Sequence, residues 1–483
     1  MATTISRDEI RAIYRQGEEG VITLIETLVE RINKLEEVVT QLQARVNKDS
    51  HNSSKPPSSD WHRPPPKSLR EKSGKKSGGQ PGHEGYSLRQ AEQPHHTVTL
   101  PLNGSCACGR DLSKCKKGNP EKRQVFDLPA KIELEVTEYQ AETGDCRCGI
   151  HHTAAFPTGV EAPVQYGQRI CAAVTYYSTY QLLPQKRITE AMDDLYGVHM
   201  SAGTVNTILK NAYERLATTE EAIKAAIRAS PVVHADETGM YVNGKRLWEH
   251  TLGTHLYTYY FCHTRRGKIA LRDDATLSEF IGRLVHDGWM SYYDLDCLHA
   301  LCNAHHLREL VFVSEQGRHQ RWASTMIKLL CHIKKVVDRA KAAGRSCLVT
   351  QTLKKYRHRY ETIVARGYQV NSLPVSVKIP GKRGRKKQTP ARNLLDRLGN
   401  HADETLAFMY DFDVPFDNNT SERDLRMTKV KQKVSGCFRS QFGAQIFCRV
   451  RGYISTVRKH GLNVFDQLIR CFDPVCNQTV LLP

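Results

Sequence analysis

The sequence has no long apolar run. Nothing in it approaches the roughly 18 apolar residues of a membrane-spanning helix. The opening "MATTISRDEIRAIYRQGEEG" holds no apolar segment of the kind that marks a secretory signal. Acidic residues are also short: 51 Asp and Glu face 70 Lys and Arg, a formal charge of +19. That balance favours a polyanionic partner, although a merely solubilising basic surface gives the same number. The fifteen cysteines are an odd set. Without a secretory signal, they point to a reduced, cytoplasmic protein whose cysteines are free thiols or metal ligands rather than disulfides. What is present is enough apolar material, 40% of 483 residues, for two to four domains with sizeable cores.

From Val21 the apolar positions step by four and three through Ile25, Leu28, Ile32, Leu35, Val39, Leu42 and Val46. β-Branched residues at one seam position and Leu at the other predict a parallel coiled coil over 1–48, and hence a homodimer or larger assembly. A helix packed on its own domain is the plainer alternative. Residues 49–90 are basic and rich in Pro, Ser and Gly, and read as a linker. Within 91–160, "CACG" (Cys106, Cys108) and "CRCG" (Cys146, Cys148) place paired thiols before glycines. Such pairs converge on one tetrahedral ion, which predicts a zinc-ribbon-like module with a structural Zn²⁺. The usual knuckle has two residues between its cysteines and here there is one. Turns with unused thiols fit as well, and Cys115, His151 and His152 are spare donors. Residues 161–229 read as a helical domain with a helix-turn-helix outline. A helix ends near Gly197, and Ser201 caps a second helix that carries Val205, Ile208 and Leu209. Small polar residues at its start, Ser201 and Thr204, suit a DNA major groove. Helical hairpins without DNA contacts share the outline.

The pattern changes at about 230. "PVVHADET", "KRLWEHTLGT" and "HLYTYYFCHT" read as strands, "ATLSEFIGRL" as a helix, "RLVHDGW" as a strand, and "LHALCNAHHLREL" as strand into helix. Three strands, a helix, a strand, a helix and a strand are the ribonuclease-H-like order. We expect a multidomain α/β chain with this core over 230–310 and 411–483, interrupted by a helical insertion over 311–410. The insertion carries a loop with Lys382, Arg383, Arg385, Lys386 and Lys387, either solvated or tracking phosphates. Asp236 is expected to end the first strand and Asp287 the fourth, on neighbouring strands. Asp287 follows the apolar "RLV" with only His286 between, which favours it over Asp294 and Asp296. Glu237 should alternate to the other face. Glu422 lies in "VPFDNNTSERDLRMTKVKQK" among Arg423, Arg426, Lys429, Lys431 and Lys433. Asp417 there caps the helix or pairs with Arg423. Three carboxylates, Asp236, Asp287 and Glu422, suit two Mg²⁺ (or Mn²⁺) ions that clamp the attacking and leaving oxygens of an in-line displacement. Lys429, two turns after Glu422, is placed to meet a phosphate.

"NSSKPPSSD", "GGQPGHEG", "HADET", "HDGWMSY", "LCNAHHLREL" and "DNNTSERDLRMTKVKQKVSGCFRS" resemble, in this order and over nearly the whole chain, blocks of the insertion-sequence-66 family of transposases. The resemblance implies a DDE transposase of a prokaryotic mobile element, with Asp236, Asp287 and Glu422 as its catalytic set. It implies cutting at terminal inverted repeats and strand transfer into target DNA, with possible accessory proteins from the same element. "CNAH" (Cys302, His305) is similar to a Cys-x-x-His that follows the second aspartate in such enzymes, where a structural, weakly metal-linked or simple core role fits. Two alternatives stand beside this: a non-catalytic DNA-binding regulator, and a metal-dependent nuclease that cuts without joining.

Overall fold

The computed structural model describes residues 6–46, 88–129, 132–372 and 388–475. Lys382, Arg383, Arg385, Lys386, Lys387 and nearly all of the expected linker lie outside them. Among the described residues no helix is long and apolar enough to cross a membrane. The chain forms two compact units, one of residues 67–138 and 191–199, the other of the remainder.

Near the N-terminus, Ser6 and Glu9 form a reciprocal capping box at the start of α1 (Arg7–Tyr14). A longer helix, α2 (Glu18–Val46), follows. Val21 is half-buried, but from Ile25 onward the seam residues are exposed among the described residues, from 38% at Leu28 to 82% at Val46. A short hairpin, β1 (Thr143–Asp145) and β2 (His151–Thr153), precedes the helices α3 (Gln168–Thr175), α4 (Gln185–Tyr196), α5 (Ala202–Arg215) and α6 (Ala217–Arg228). Gly197 follows α4 with φ +65°, a conformation that favours glycine.

One mixed five-stranded sheet positions the site. Its strands are β3 (Val232–Val242), β4 (Lys245–Gly253), β5 (Thr258–His263), β6 (Arg283–His286) and β7 (Leu298–Leu301), in the order β5-β4-β3-β6-β7. The first three run antiparallel to one another, while β6 and β7 run parallel to β3. β3 turns into β4 through Asn243 and Gly244, both at positive φ, as a two-residue hairpin of matching twist requires. The expected helix after β5 is two short pieces, α7 (Lys268–Asp273) and α8 (Ala275–Ser278). A single short turn, Met290–Asp294, joins β6 to β7, where the ribonuclease-H-like order has a helix.

Alternating side chains of β6 serve two cores. Leu284 packs with Val233, Leu277 and Ile227 of α6 on one face. Val285 packs on the other with the helices that follow the sheet. These are α9 (Asn303–Ser314), α10 (Arg321–Ala342), α11 (Thr350–Val370), α12 (Pro390–Asn400) and α13 (Ala402–Tyr410), which share one apolar cluster through Leu310, Met326, Leu330, Tyr360 and Leu395. The chain then returns to the sheet in α14 (Asn419–Ser435) and α15 (Gln441–Lys459), and α16 (Val464–Phe472) packs against α3.

Candidate active site

β3 runs through Asp236 to Val242, so Asp236 does not end the strand as expected. What ends there is its parallel pairing. β6 pairs only with Val232–His234, in the register His234 to Val285. Two further steps bring Asp236 level with Asp287, the first residue after β6. Asp236 accepts from the Glu237 backbone N–H at 2.9 Å, and Asp287 from that of Trp289 at 2.9 Å.

Glu422 reaches the same region because α14 is fastened along β3. At its start, buried Asn418 donates from Nδ2 to the Ala235 carbonyl at 2.8 Å and accepts from His234 Nδ1 at 2.7 Å. Its backbone N–H donates to Cys302 Sγ at 3.1 Å. Beyond the far end, Phe438 exchanges backbone bonds with Tyr241 and Asn243. Asp417 accepts from the Asn419 backbone N–H at the helix start. Glu422 itself accepts from Arg308 Nη2 at 3.2 Å and lies 3.7 Å from His305 Nδ1.

Burial, and then the charges of Glu237, Asp287 and Glu422, push the Asp236 carboxyl well above the usual range. The charges that act on it most strongly are therefore all negative, an arrangement that suits a bound cation. Glu237, expected on the far face, is tied into this neighbourhood. It accepts from Arg266 at 2.6 and 3.0 Å and from the Tyr292 hydroxyl at 2.5 Å. Arg266 is held between the rings of Trp248 and Trp289, 4.9 and 4.4 Å from their centres. The sequence gives no local signal for this group, since its members are far apart along the chain. Asp294 instead pairs with Lys268 at 2.8 Å.

The other expected site residues are placed as follows. Lys429 donates to the Gly239 carbonyl at 2.5 Å, and Lys431 to the carbonyls of Ser178 and Leu183. Arg423, Arg426 and Lys433 remain exposed on α14. Ser201 caps α5, its hydroxyl accepting from the Thr204 N–H at 3.1 Å and meeting the Thr204 hydroxyl at 3.1 Å. Cys106 and Cys108 fall in one compact unit, Cys146 and Cys148 in the other. Each pair occupies the same kind of turn. The first Cys donates to the carbonyl four residues on (Arg110, Ile150), and the glycine N–H (Gly109, Gly149) returns to the first Cys carbonyl. All four thiols are exposed, as is Cys115. The neighbouring Cys108 and Cys148 backbones lower the thiols of Cys106 and Cys146, which favours the thiolate.

Residues 163–446, more than half of the chain, match the family model described as Transposase IS66 family. This chain belongs to the IS66 family of transposases. The matched span takes in the whole sheet, all three carboxylates and the helices between Asp287 and Glu422. Residues 7–89 match a further model, described as a family of unknown function (DUF6444). No curated protein matches this IS66-family chain.

Proposed function

We propose that this chain is a DDE transposase on a ribonuclease-H-like core, which cuts at terminal inverted repeats and joins the ends to target DNA. The observation that carries the proposal is that Asp236 and Asp287 lie level on the central strands of a sheet ordered β5-β4-β3-β6-β7, and that their charges and that of Glu422 act on one another. Each carboxylate comes from a different element. Asp236 and Asp287 are levelled by strand register, and Glu422 is brought in by a helix fastened to β3.

The three carboxylates would hold two Mg²⁺ or Mn²⁺ ions. Bound there, the ions activate the attacking oxygen and stabilise the leaving one. Tyr292 and Arg266 hold Glu237, which stiffens β3 beside Asp236. Exposed Arg423, Arg426 and Lys433 attract the DNA backbone towards Glu422, and the cationic segment 382–387 adds affinity that does not depend on sequence. α4 and α5 are the helix-turn-helix that reads the ends, with Ser201 and Thr204 at the start of the reading helix. Each of the two Cys turns, Cys106–Cys108 and Cys146–Cys148, presents a pair of exposed thiols of the kind that binds Zn²⁺. The uncovered seam of α2 supports a coiled-coil dimer.

The test is a strand-transfer assay with labelled terminal inverted repeats and Mg²⁺. Joined product is the expected outcome. Cutting without joining would make the chain a nuclease, and binding without cutting would make it a regulator.

A further inference from the structure

Beside the three carboxylates lies a second group of donors with different chemistry. Cys302, His305 and Glu422 each offer one ligand atom, and these atoms all lie within 4.8 Å of one another. Cys302 is fully enclosed and the other two are half-buried. His305 Nδ1 is buried, has no hydrogen-bond partner, and lies 3.7 Å from Glu422 Oε1. Among the described residues no other three His, Cys, Asp or Glu side chains converge this closely.

We propose that Cys302, His305 and Glu422 form a zinc-binding site, distinct in donor chemistry from the two-Mg²⁺ set and sharing Glu422 with it. A thiolate and an imidazole are poor ligands for Mg²⁺ and good ones for Zn²⁺. Tetrahedral zinc, with Zn–S about 2.3 Å and Zn–N about 2.0 Å, sets its donor atoms roughly 3.3–3.7 Å apart. Small side-chain shifts reach that from the observed spacing. Burial pushes the metal-free Cys302 thiol up to about 12, so the ion itself has to displace that proton, with help from the local dipoles. Cys302 is the N-cap of α9 and Glu422 lies in the first turn of α14, so two helix N-termini point at the site. The Cys302 sulfur already accepts from the Asn418 backbone N–H. Arg308 donates to Glu422 Oε1, but a carboxylate has two oxygens and room for both an arginine and a metal. Binding releases the Cys302 proton to solvent and leaves the fourth zinc position open to water.

The site would act as a staple. Its ligands lie on either side of α10–α13, so one ion ties the entry of the helical insertion to its exit. It would fix α9 against α14 and hold Glu422 in place. An ion bound only by the folded chain stabilises it by mass action.

Cobalt titration of the full chain, without DNA or Mg²⁺, tests this. Wild-type protein should show thiolate-to-cobalt absorption, and Cys302→Ser and His305→Gln should each bind one equivalent fewer, with part of that absorption lost. The N-terminal cysteines are present in every sample and cancel in the difference. Zn²⁺ should raise the melting temperature of wild type more than that of His305→Gln. Equal cobalt equivalents and equal spectra in wild type and both variants would overturn the proposal. Should Cys302→Ser fail to fold, His305→Gln, at a partly exposed position, decides it alone. The inference rests on the active-site reading only through the shared Glu422. Its failure would leave strand transfer untouched, and a chain inactive in strand transfer can still show the cobalt band.

Discussion

Glu249 has no exposed surface, and one of its carboxylate oxygens, Oε1, accepts from the Thr428 hydroxyl at 2.9 Å. Its other oxygen, Oε2, has no partner. Burial pushes this carboxyl up to about 7. A carboxyl raised in the fold stabilises fully below its unfolded value, and the contribution is lost as pH rises towards the folded one. Glu249→Gln removes the titration. Its stability relative to wild type should therefore climb by about 3 kcal/mol between pH 4.5 and 7. Denaturant unfolding at several pH values checks this, and a pH-independent difference would contradict it. The buried amide adds only a constant offset. Residues of this kind were not legible in the sequence. Along α14 charged and polar residues occupy every face, so no apolar period shows which ones turn inward. Asp424 and Lys431 are enclosed while Arg423 and Arg426 stay exposed. That Asp287 follows a strand was legible, because the apolar residues of "RLVHD" become β6 just before it. Glu237 was not, because its partners Arg266 and Tyr292 come from later loops.

Among the elements, α14 matters most, since it carries Glu422 and is fastened to β3 at both ends. Asn418 is the first fastening. Asn418→Ala strips partners from His234 and the Ala235 carbonyl, both shielded from solvent, at a cost of about 2–3 kcal/mol. Strand transfer should fall more than end binding, because Glu422 loses its anchor while the exposed cations of α14 remain. Urea unfolding and a binding assay beside the activity assay separate these effects. Unchanged stability would contradict the account of the fastening. The β-rich runs "KRLWEHTLGT" and "HLYTYYFCHT" and the short apolar "RLVHDGW" were enough to place β4, β5 and β6. The full length of β3 was missed because its second half is a hairpin arm paired with β4 alone. The signal for that arm, the Asn243–Gly244 turn, was there to be read. The ribonuclease-H-like order has a helix between its fourth and fifth strands, but no segment there reads as one, and the chain has only the short turn Met290–Asp294.

At the scale of the whole molecule, the exposed seam of α2 is where the proposed dimer forms. Leu28→Glu with Leu35→Glu should lower the assembly state in sedimentation, because charge at adjacent Leu positions breaks the seam. An unchanged mass would show that assembly does not use this helix. The mixed α/β class and the family were legible because long blocks of sequence carry them. The junction of α9 and α14 was not, since it forms only when the helical insertion folds back on itself. The central claim is that Asp236, Asp287 and Glu422 act as one metal-holding unit. The measurement that tests it most directly is strand transfer by Asp236→Asn, Asp287→Asn and Glu422→Gln, with Asp294→Asn and Asp296→Asn as controls. Each of the first three should lose cutting and joining while still folding and binding ends, and any one loss should cost nearly as much as all three. The controls should stay active. Retained strand transfer in Asp287→Asn, with loss in Asp294→Asn or Asp296→Asn, would put the second ligand elsewhere, and activity in all five variants would contradict the account.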